Sequence, residues 1–253
     1  MAKYAYSDEG RNNIIYSADV AKEDRNRTFF CPNPACNARL HICAIDGSRT
    51  AYFSATEAEH PHIPTCPFRT GGIDFDENQF DETQFIFNDA MNNLYNKTPT
   101  EKISKIPEEH NSGKAKKRPP RTLGQIYAMC KSRPVTDTYG DKKIGEMILD
   151  NRSEYRHPRG CFGNRVVEAI VGKSGYFYNT EEKRIYLAAP LGSQRYSFVL
   201  QFQNIDTFDF IQTEIYNNRD KIIVVAGDWQ KSGKYNCFIA EIHGKKQVAV
   251  IKR

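Results

Sequence analysis

The sequence predicts an α+β protein: a small metal-binding β-hairpin domain with a helical segment, joined by a linker to a C-terminal five-stranded β-barrel. Three observations predict this. Four of the seven cysteines and three of the six histidines fall within residues 30–68. Residues 97–121 hold four prolines, few large apolar residues and the basic run Lys114-Ala115-Lys116-Lys117-Arg118. Beyond Cys161, short alternating apolar runs are set off by Gly, Pro and acidic turns. The parts then read as a metal-binding domain (1–72), an acidic helical segment (73–96), a linker (97–121), short helices (122–160) and the barrel (161–253).

Composition limits the function classes. The 253 residues are 39% hydrophobic and 26% charged, with mean hydropathy −0.66. No apolar run approaches the ~18 residues of a membrane span, so no membrane partner is expected. The opening MAKYAYSDEGRNN lacks the apolar core of a signal peptide, which points to the cytoplasm. An odd cysteine count, with the clustered cysteines mixed among histidines, favours metal binding over a disulfide framework. The net charge of +5 is uneven: from Arg152 onward there are 16 Lys+Arg against 10 Asp+Glu, whereas residues 71–96 contain no Lys or Arg. A basic C-terminal part suits an anionic partner, and equally suits a merely soluble surface.

Taking the elements in order, Asn13-Ile14-Ile15-Tyr16-Ser17 fits a short strand. Arg39-Leu40-His41-Ile42-Cys43 and Thr50-Ala51-Tyr52-Phe53 alternate around the turn signal Asp46-Gly47, and so read as a β-hairpin. Cys31 and Cys36 flank two prolines before it, and His62 and Cys66 follow it. Three thiolates and an imidazole make a closed Cys3His tetrahedron for Zn²⁺, with no position left for an activated water, so the metal's role is structural. His60 is an alternative to His62, and Cys43 or His41 are substitute ligands on the hairpin. Unliganded core cysteines are the plain alternative.

The pattern FFCPNPACNARL followed by AYFSATEAEHPHIPTCPF resembles the N-terminal zinc-binding region of bacterial competence-protein CoiA-like proteins and related bacterial or phage mobile-element proteins. The resemblance covers about forty residues and implies work on nucleic acid. Members of that family often carry a nuclease domain, whose spaced Asp and Glu-x-Lys signature is not found here on suitable strands.

Phe85, Phe87 and Leu94 predict a helix over 81–96, with Asp81 or Asp76 as its cap. The acidic stretch 74–90 is a candidate contact for a basic protein partner; a solvated helix packed on the metal module is the plainer reading. Leu123, Ile126, Tyr127 and Cys130 predict a helix stopped near Pro134, and Ile144, Met147 and Ile148 a second short apolar face. Arg152 and His157 have the R-x4-H spacing of some helical ribonucleases, but Pro158 and the polar flanks favour an exposed loop over 151–160.

The C-terminal part reads as strands over 163–171, extended through Tyr176-Phe177-Tyr178, then 184–188 and 196–202. A helix over 207–216, a buried strand at 222–227, a strand at 235–242 and a closing run at 247–251 follow. That order, three strands, a helix and two strands, resembles the OB-fold, a small five-stranded Greek-key barrel. The resemblance implies a binding face on the second and third strands and the adjoining loops. Its candidates are Lys173, Tyr176, Tyr178, Lys183, Arg184, Tyr186, Arg195 and Tyr196, with Trp229, Lys231 and Lys234 after the fourth strand. Rings stack on bases while cations follow phosphates. Against this, Tyr196, Phe198, Leu200 and Phe202 share one face and must be mostly core, and Trp229 equally fits a plug at the barrel end.

The function expected is therefore a non-catalytic nucleic-acid-binding protein, holding single-stranded DNA or RNA on the barrel, with a structural zinc module for docking or recognition. The alternatives are a metal-dependent nuclease using acids such as Glu168 and Asp228, an R-x4-H ribonuclease using Arg152 and His157, and a protein-interaction adaptor. No Ser/His/Asp set, phosphate loop or dinucleotide fingerprint appears.

Overall fold

The computed structural model describes residues 2–47, 50–55, 58–64, 66–69, 75–95, 117–172, 177–190 and 196–251. Its N-terminal part is an antiparallel sheet of β1 (Tyr4–Tyr6), β2 (Ile14–Tyr16), β3 (Phe29–Phe30), β4 (Arg39–Cys43) and β5 (Tyr52–Ser54), in the order β2-β1-β3-β4-β5. The expected hairpin is present, with His41 opposite Ser54 and Cys43 opposite Tyr52. Its turn leaves β4 through Ala44, at φ 60°, and the Gly47 N–H closes onto the Ala44 carbonyl. Strand alternation buries Leu40, Ile42 and Phe53 with Tyr4 and Phe29 in one apolar core.

The helix expected over 81–96 is shorter and capped from elsewhere. Asp76 and Asp81 each accept from their own chain two residues on, closing single turns at Glu77–Gln79 and Glu82–Gln84. Helix α1 (Phe87–Tyr95) follows, and the Phe87 N–H is met at 2.8 Å by Asp141, from a distant loop. Helix α2 (Leu123–Ser132) begins with a reciprocal capping box between Thr122 and Gln125. A ladder of β6 (Thr138–Tyr139) and β7 (Lys142–Lys143), the turn α3 (Ile144–Met147) and β8 (Ile148–Leu149) complete this part. Of the linker, Lys114, Ala115 and Lys116 lie outside the described residues; Arg118 pairs with Phe80 through a β-bridge.

The C-terminal part contains β9 (Gly163–Ala169), β10 (Tyr178–Asn179), β11 (Arg184–Ala188), β12 (Ser197–Phe202), α4 (Ile205–Tyr216), β13 (Ile223–Lys231), β14 (Cys237–Ile242) and β15 (Val248–Val250). The element order read from the sequence is thus present, but the pairing is more extended than a closed five-stranded barrel. Strands lie on one path, β10-β11-β12-β14-β13-β9-β8, with β15 added to β13. The β12–β14 pairing is parallel, and β13, which lies between them in sequence, runs antiparallel to β14. A single antiparallel bridge, Ile170 with Ala188, ties the end of β9 to β11. The short strands β8 and β10 carry the sheet past the five long runs that alternation reveals.

Two cores share this sheet. Phe198, Leu200, Phe202, Phe208, Ile211, Ile223 and Val225 are buried on one side. On the other, Val166, Val224 and Ala226 are buried with Phe85, Phe87, Met91, Leu94, Ile126 and Tyr127. Strand β13 therefore has both faces covered, which explains its near-continuous apolar run. The segments predicted as an acidic helix and separate short helices share one core with the C-terminal sheet.

The expected exposed loop over 151–160 is corrected in part: Tyr155, Pro158 and Arg159 are exposed, but the two residues of the R-x4-H spacing are not. Arg152 and His157 are both buried. The Arg152 guanidinium donates to Asp150, to the Tyr4 hydroxyl and to the Arg133 and Cys130 carbonyls at 2.6–3.0 Å. Polar residues that satisfy one another in this way need no solvent. Among the described residues, no helix is long and apolar enough to cross a membrane.

Candidate functional site

The four predicted metal ligands come together. One donor atom each from Cys31, Cys36, His62 and Cys66 lies within 4.8 Å of the others, and all four residues are buried. The Cys31 and Cys66 sulfurs are 3.6 Å apart, and the Cys36 sulfur is 3.4 Å from His62 Nδ1. In a tetrahedron with the usual zinc bond lengths these edges are about 3.8 and about 3.6 Å. The donor set and its spacing therefore fit a divalent ion. His60 is outside the group; its carbonyl accepts from the Arg39 N–H instead.

Local sequence explains the geometry. The Cys36 N–H closes a turn onto the Asn33 carbonyl, the Asn33 N–H points at the Cys31 sulfur, and the Asn33 side chain accepts from the Ala35 N–H. This folds the C-x4-C knuckle around its two prolines. A second turn, Cys66 N–H to Ile63 carbonyl, presents the His62 and Cys66 side. Arg11 donates to the Cys31 and Cys36 carbonyls at 3.1 and 2.7 Å; it holds the knuckle from a distance that sequence spacing does not reveal. Burial pushes the Cys31 thiol well up and Cys66 up to about 12, while hydrogen bonds from these two neighbours hold Cys36 well below the ordinary range. A divalent cation supplies the charge that lets all three deprotonate.

Next to the metal site lies a buried ion cluster that the sequence does not announce. Lys131 Nζ is 2.6 Å from both Asp150 Oδ2 and Glu168 Oε1. Tyr127 donates to the same Glu168 oxygen at 2.6 Å. Asp150 also pairs with Arg152, giving two cations and two carboxylates. Phe68, two residues past Cys66, lies beneath both cations, 5.3 Å from Lys131 Nζ and 5.6 Å from the Arg152 guanidinium carbon. Asn151 donates to Asn33 in the knuckle. The metal loop is thereby docked on the rest of the chain. Glu168 and His157, which a hydrolytic reading would use, are committed to buried partners; His157 Nε2 meets the Gly145 carbonyl at 2.9 Å. Asp228 instead lines a polar groove with Glu241 and His243. Of the acidic stretch, Glu77 and Glu82 pair with Arg133.

The predicted nucleic-acid residues fall in several places. Lys173, Tyr176 and Arg195 lie outside the described residues. Trp229 is corrected to a core position, and Tyr178 packs partly buried against the edge of the same core. Trp229 is 1% exposed, with its ring 5.1 Å from Phe198 and its Nε1 donating to the Arg165 carbonyl. Gly227 makes room for it: a Cβ there would fall 2.6 Å from Ala240 Cβ and 3.1 Å from the indole. Tyr178 is half-buried against Phe177 and Phe208. The buried Tyr196 likewise joins the core, its hydroxyl donating to the His157 carbonyl. Arg184, Tyr186 and Lys234 are brought together, lining a groove of about 480 Å³ on the outer face of β11, β12 and β14. Tyr235, which the sequence reading passed over, stands at its edge and is 94% exposed. Within the groove Arg184 is held by Glu182 and Gln201, and Tyr186 donates to Glu182. Lys183 reaches the Gln203 carbonyl. Lys231 lies past the groove, on the far side of the β13–β14 loop.

Comparison of the chain with family models, curated proteins and solved structures finds no match.

Proposed function

We propose that the chain is a non-catalytic nucleic-acid-binding protein in which single-stranded DNA or RNA lies in the groove over β11, β12 and β14. The observation that carries this reading is the meeting of Tyr186, Tyr235, Arg184 and Lys234 around one groove, from strands and a loop far apart in sequence. Rings there can stack on bases of any identity, and cations can follow the backbone. An OB-like topology is supported by the order β9, β11, β12, α4, β13, β14 with parallel β12–β14 pairing. Zinc is the ion assigned to the Cys3His cluster, because three sulfurs and one imidazole in a closed tetrahedral arrangement suit it. Its role is structural: it fixes the knuckle that docks Asn33 and Phe68 on the buried ion cluster. The CoiA-like pattern of the knuckle agrees with a nucleic-acid role.

The test is fluorescence anisotropy with the full chain and labelled single-stranded DNA, single-stranded RNA and duplex, each at two salt concentrations. Salt-sensitive binding to a single strand is expected, with Tyr186→Ala losing about 1–3 kcal/mol. Trp229→Phe, a change in the core, should leave affinity unaltered. Lack of salt-sensitive binding to all three oligonucleotides would sink the proposal.

A further inference from the structure

We propose that Arg159, Lys231 and Lys234 form a phosphate-binding subsite that continues the single-strand path over the β13–β14 loop, beyond the groove. This inference rests on the reading of the groove given above. The three cations line a hollow of about 420 Å³ together with Tyr235, Asn236 and Phe238, and no carboxylate lines it. Among the described residues none of the three is in an ion pair, whereas Lys131, Arg133, Arg152 and Arg184 all are. Like charges facing one hollow repel each other, and an anion placed among them relieves that repulsion.

The two walls are held in place before any ligand arrives. Arg159 sits in a turn closed by the Gly160 N–H on the His157 carbonyl. Gly160 has φ +113°, and a Cβ there would fall 2.3 Å from the Phe238 ring. Only glycine lets this turn press on β14. His157 anchors the other end: its ring meets the Gly145 carbonyl and its own carbonyl accepts from the Tyr196 hydroxyl at 2.6 Å. The R-x4-H spacing noted in the sequence thus becomes the buried footing of Arg159. Across the hollow, the β13–β14 loop is closed by the Ser232 N–H to the Cys237 carbonyl and the Cys237 N–H to the Lys234 carbonyl, with Gly233 and Asn236 at positive φ. A ligand therefore orders side chains alone, which keeps the entropy cost of binding low.

The hollow and the groove are continuous, because Lys234, Tyr235 and Cys237 line both. In the groove Arg184 is already held by Glu182, so that side offers mainly rings. The hollow offers unpaired charge. Bases would be read on one side of Tyr235 and phosphates gripped on the other.

The experiment measures log Kd against log salt for a labelled single strand, comparing the full chain, R159Q/K231Q/K234Q and Tyr186→Ala. Isothermal titration with inorganic tripolyphosphate forms a separate arm. Three phosphate contacts on a single strand contribute about 2 to the salt slope. The triple variant should lose that much, while Tyr186→Ala weakens binding at unchanged slope. If the chain binds a strand through Tyr186 and the triple variant keeps its full slope, the subsite is overturned and the groove stands. If no oligonucleotide binds but tripolyphosphate does, and the triple variant loses it, the groove reading fails and the anion subsite survives. Binding of neither overturns both.

Discussion

Replacing Lys131 by methionine isolates the contribution of the buried ion cluster. The ammonium is the shared partner of Asp150 and Glu168, at 2.6 Å from each, and all three side chains are buried. Without it Asp150 keeps Arg152 at 2.8 Å, but Glu168 keeps only the neutral Tyr127 hydroxyl. Methionine fills a similar volume, so the packing loss is small. The main cost is one uncompensated buried carboxylate, about 3–5 kcal/mol. With a urea slope of roughly 3 kcal/mol per molar, the midpoint should fall by about 1–1.7 M in equilibrium unfolding at pH 7 with zinc present. Adding Glu168→Gln removes the stranded charge while leaving Tyr127 an acceptor, so the double variant should recover most of the loss. A loss below about 1 kcal/mol, or a double variant no better than the single, would refute the assignment of Glu168 as a charged, Lys131-dependent group.

Three further outcomes are expected. Cys36→Ser should abolish stoichiometric zinc by elemental analysis and remove the tetrahedral sulfur–nitrogen bands of the cobalt-loaded protein; retention of one ion per chain would contradict the ligand set. Burial opposes ionisation of Asp150, yet Arg152 and Lys131 hold its carboxyl well below the usual range; a depressed folded value stabilises above the ordinary carboxylate range and is lost as pH falls through it. Melting temperature should therefore drop in acid for the native chain, and Asp150→Asn should show its deficit at neutral pH and a narrowing gap below about pH 4. Trp229→Ala should destabilise by about 3–5 kcal/mol as a core cavity, measured by thermal unfolding; a loss confined to oligonucleotide affinity would return Trp229 to the groove.

What the sequence made legible was local. The hairpin follows from alternation in Arg39–Cys43, the metal ligands from their short spacing, and α2 from the helical spacing of Leu123, Ile126, Tyr127 and Cys130. What stayed hidden depends on partners far along the chain. Asp141 caps α1 from 54 positions away, so local spacing points to Asp81 or Asp76 instead. Arg152 and His157 look like solvent residues because polarity is visible in a sequence and its satisfaction is not. Trp229 carries no neighbouring sign of the space Gly227 opens for it. In the groove, Tyr186 was readable from its strand, whereas Tyr235 owes its exposure to the fixed turn beneath it.

Strand β13 has consequences for how this chain can be divided. Its even and odd residues serve as lining for two different interiors, one filled by α4 and the inner strands, the other by α1 and α2. A fragment beginning at 161 would present Val166, Val224 and Ala226 to water as a continuous oily strip and would leave Glu168 without Lys131. Such a piece should self-associate, because bare apolar strand surface invites another copy. The stretch that reads as a linker in the sequence, 97–121, therefore marks no point of scission: what lies before it is a wall of what lies after. Stability, solubility and ligand binding then have to be measured on the undivided protein, whose halves are finished only by each other.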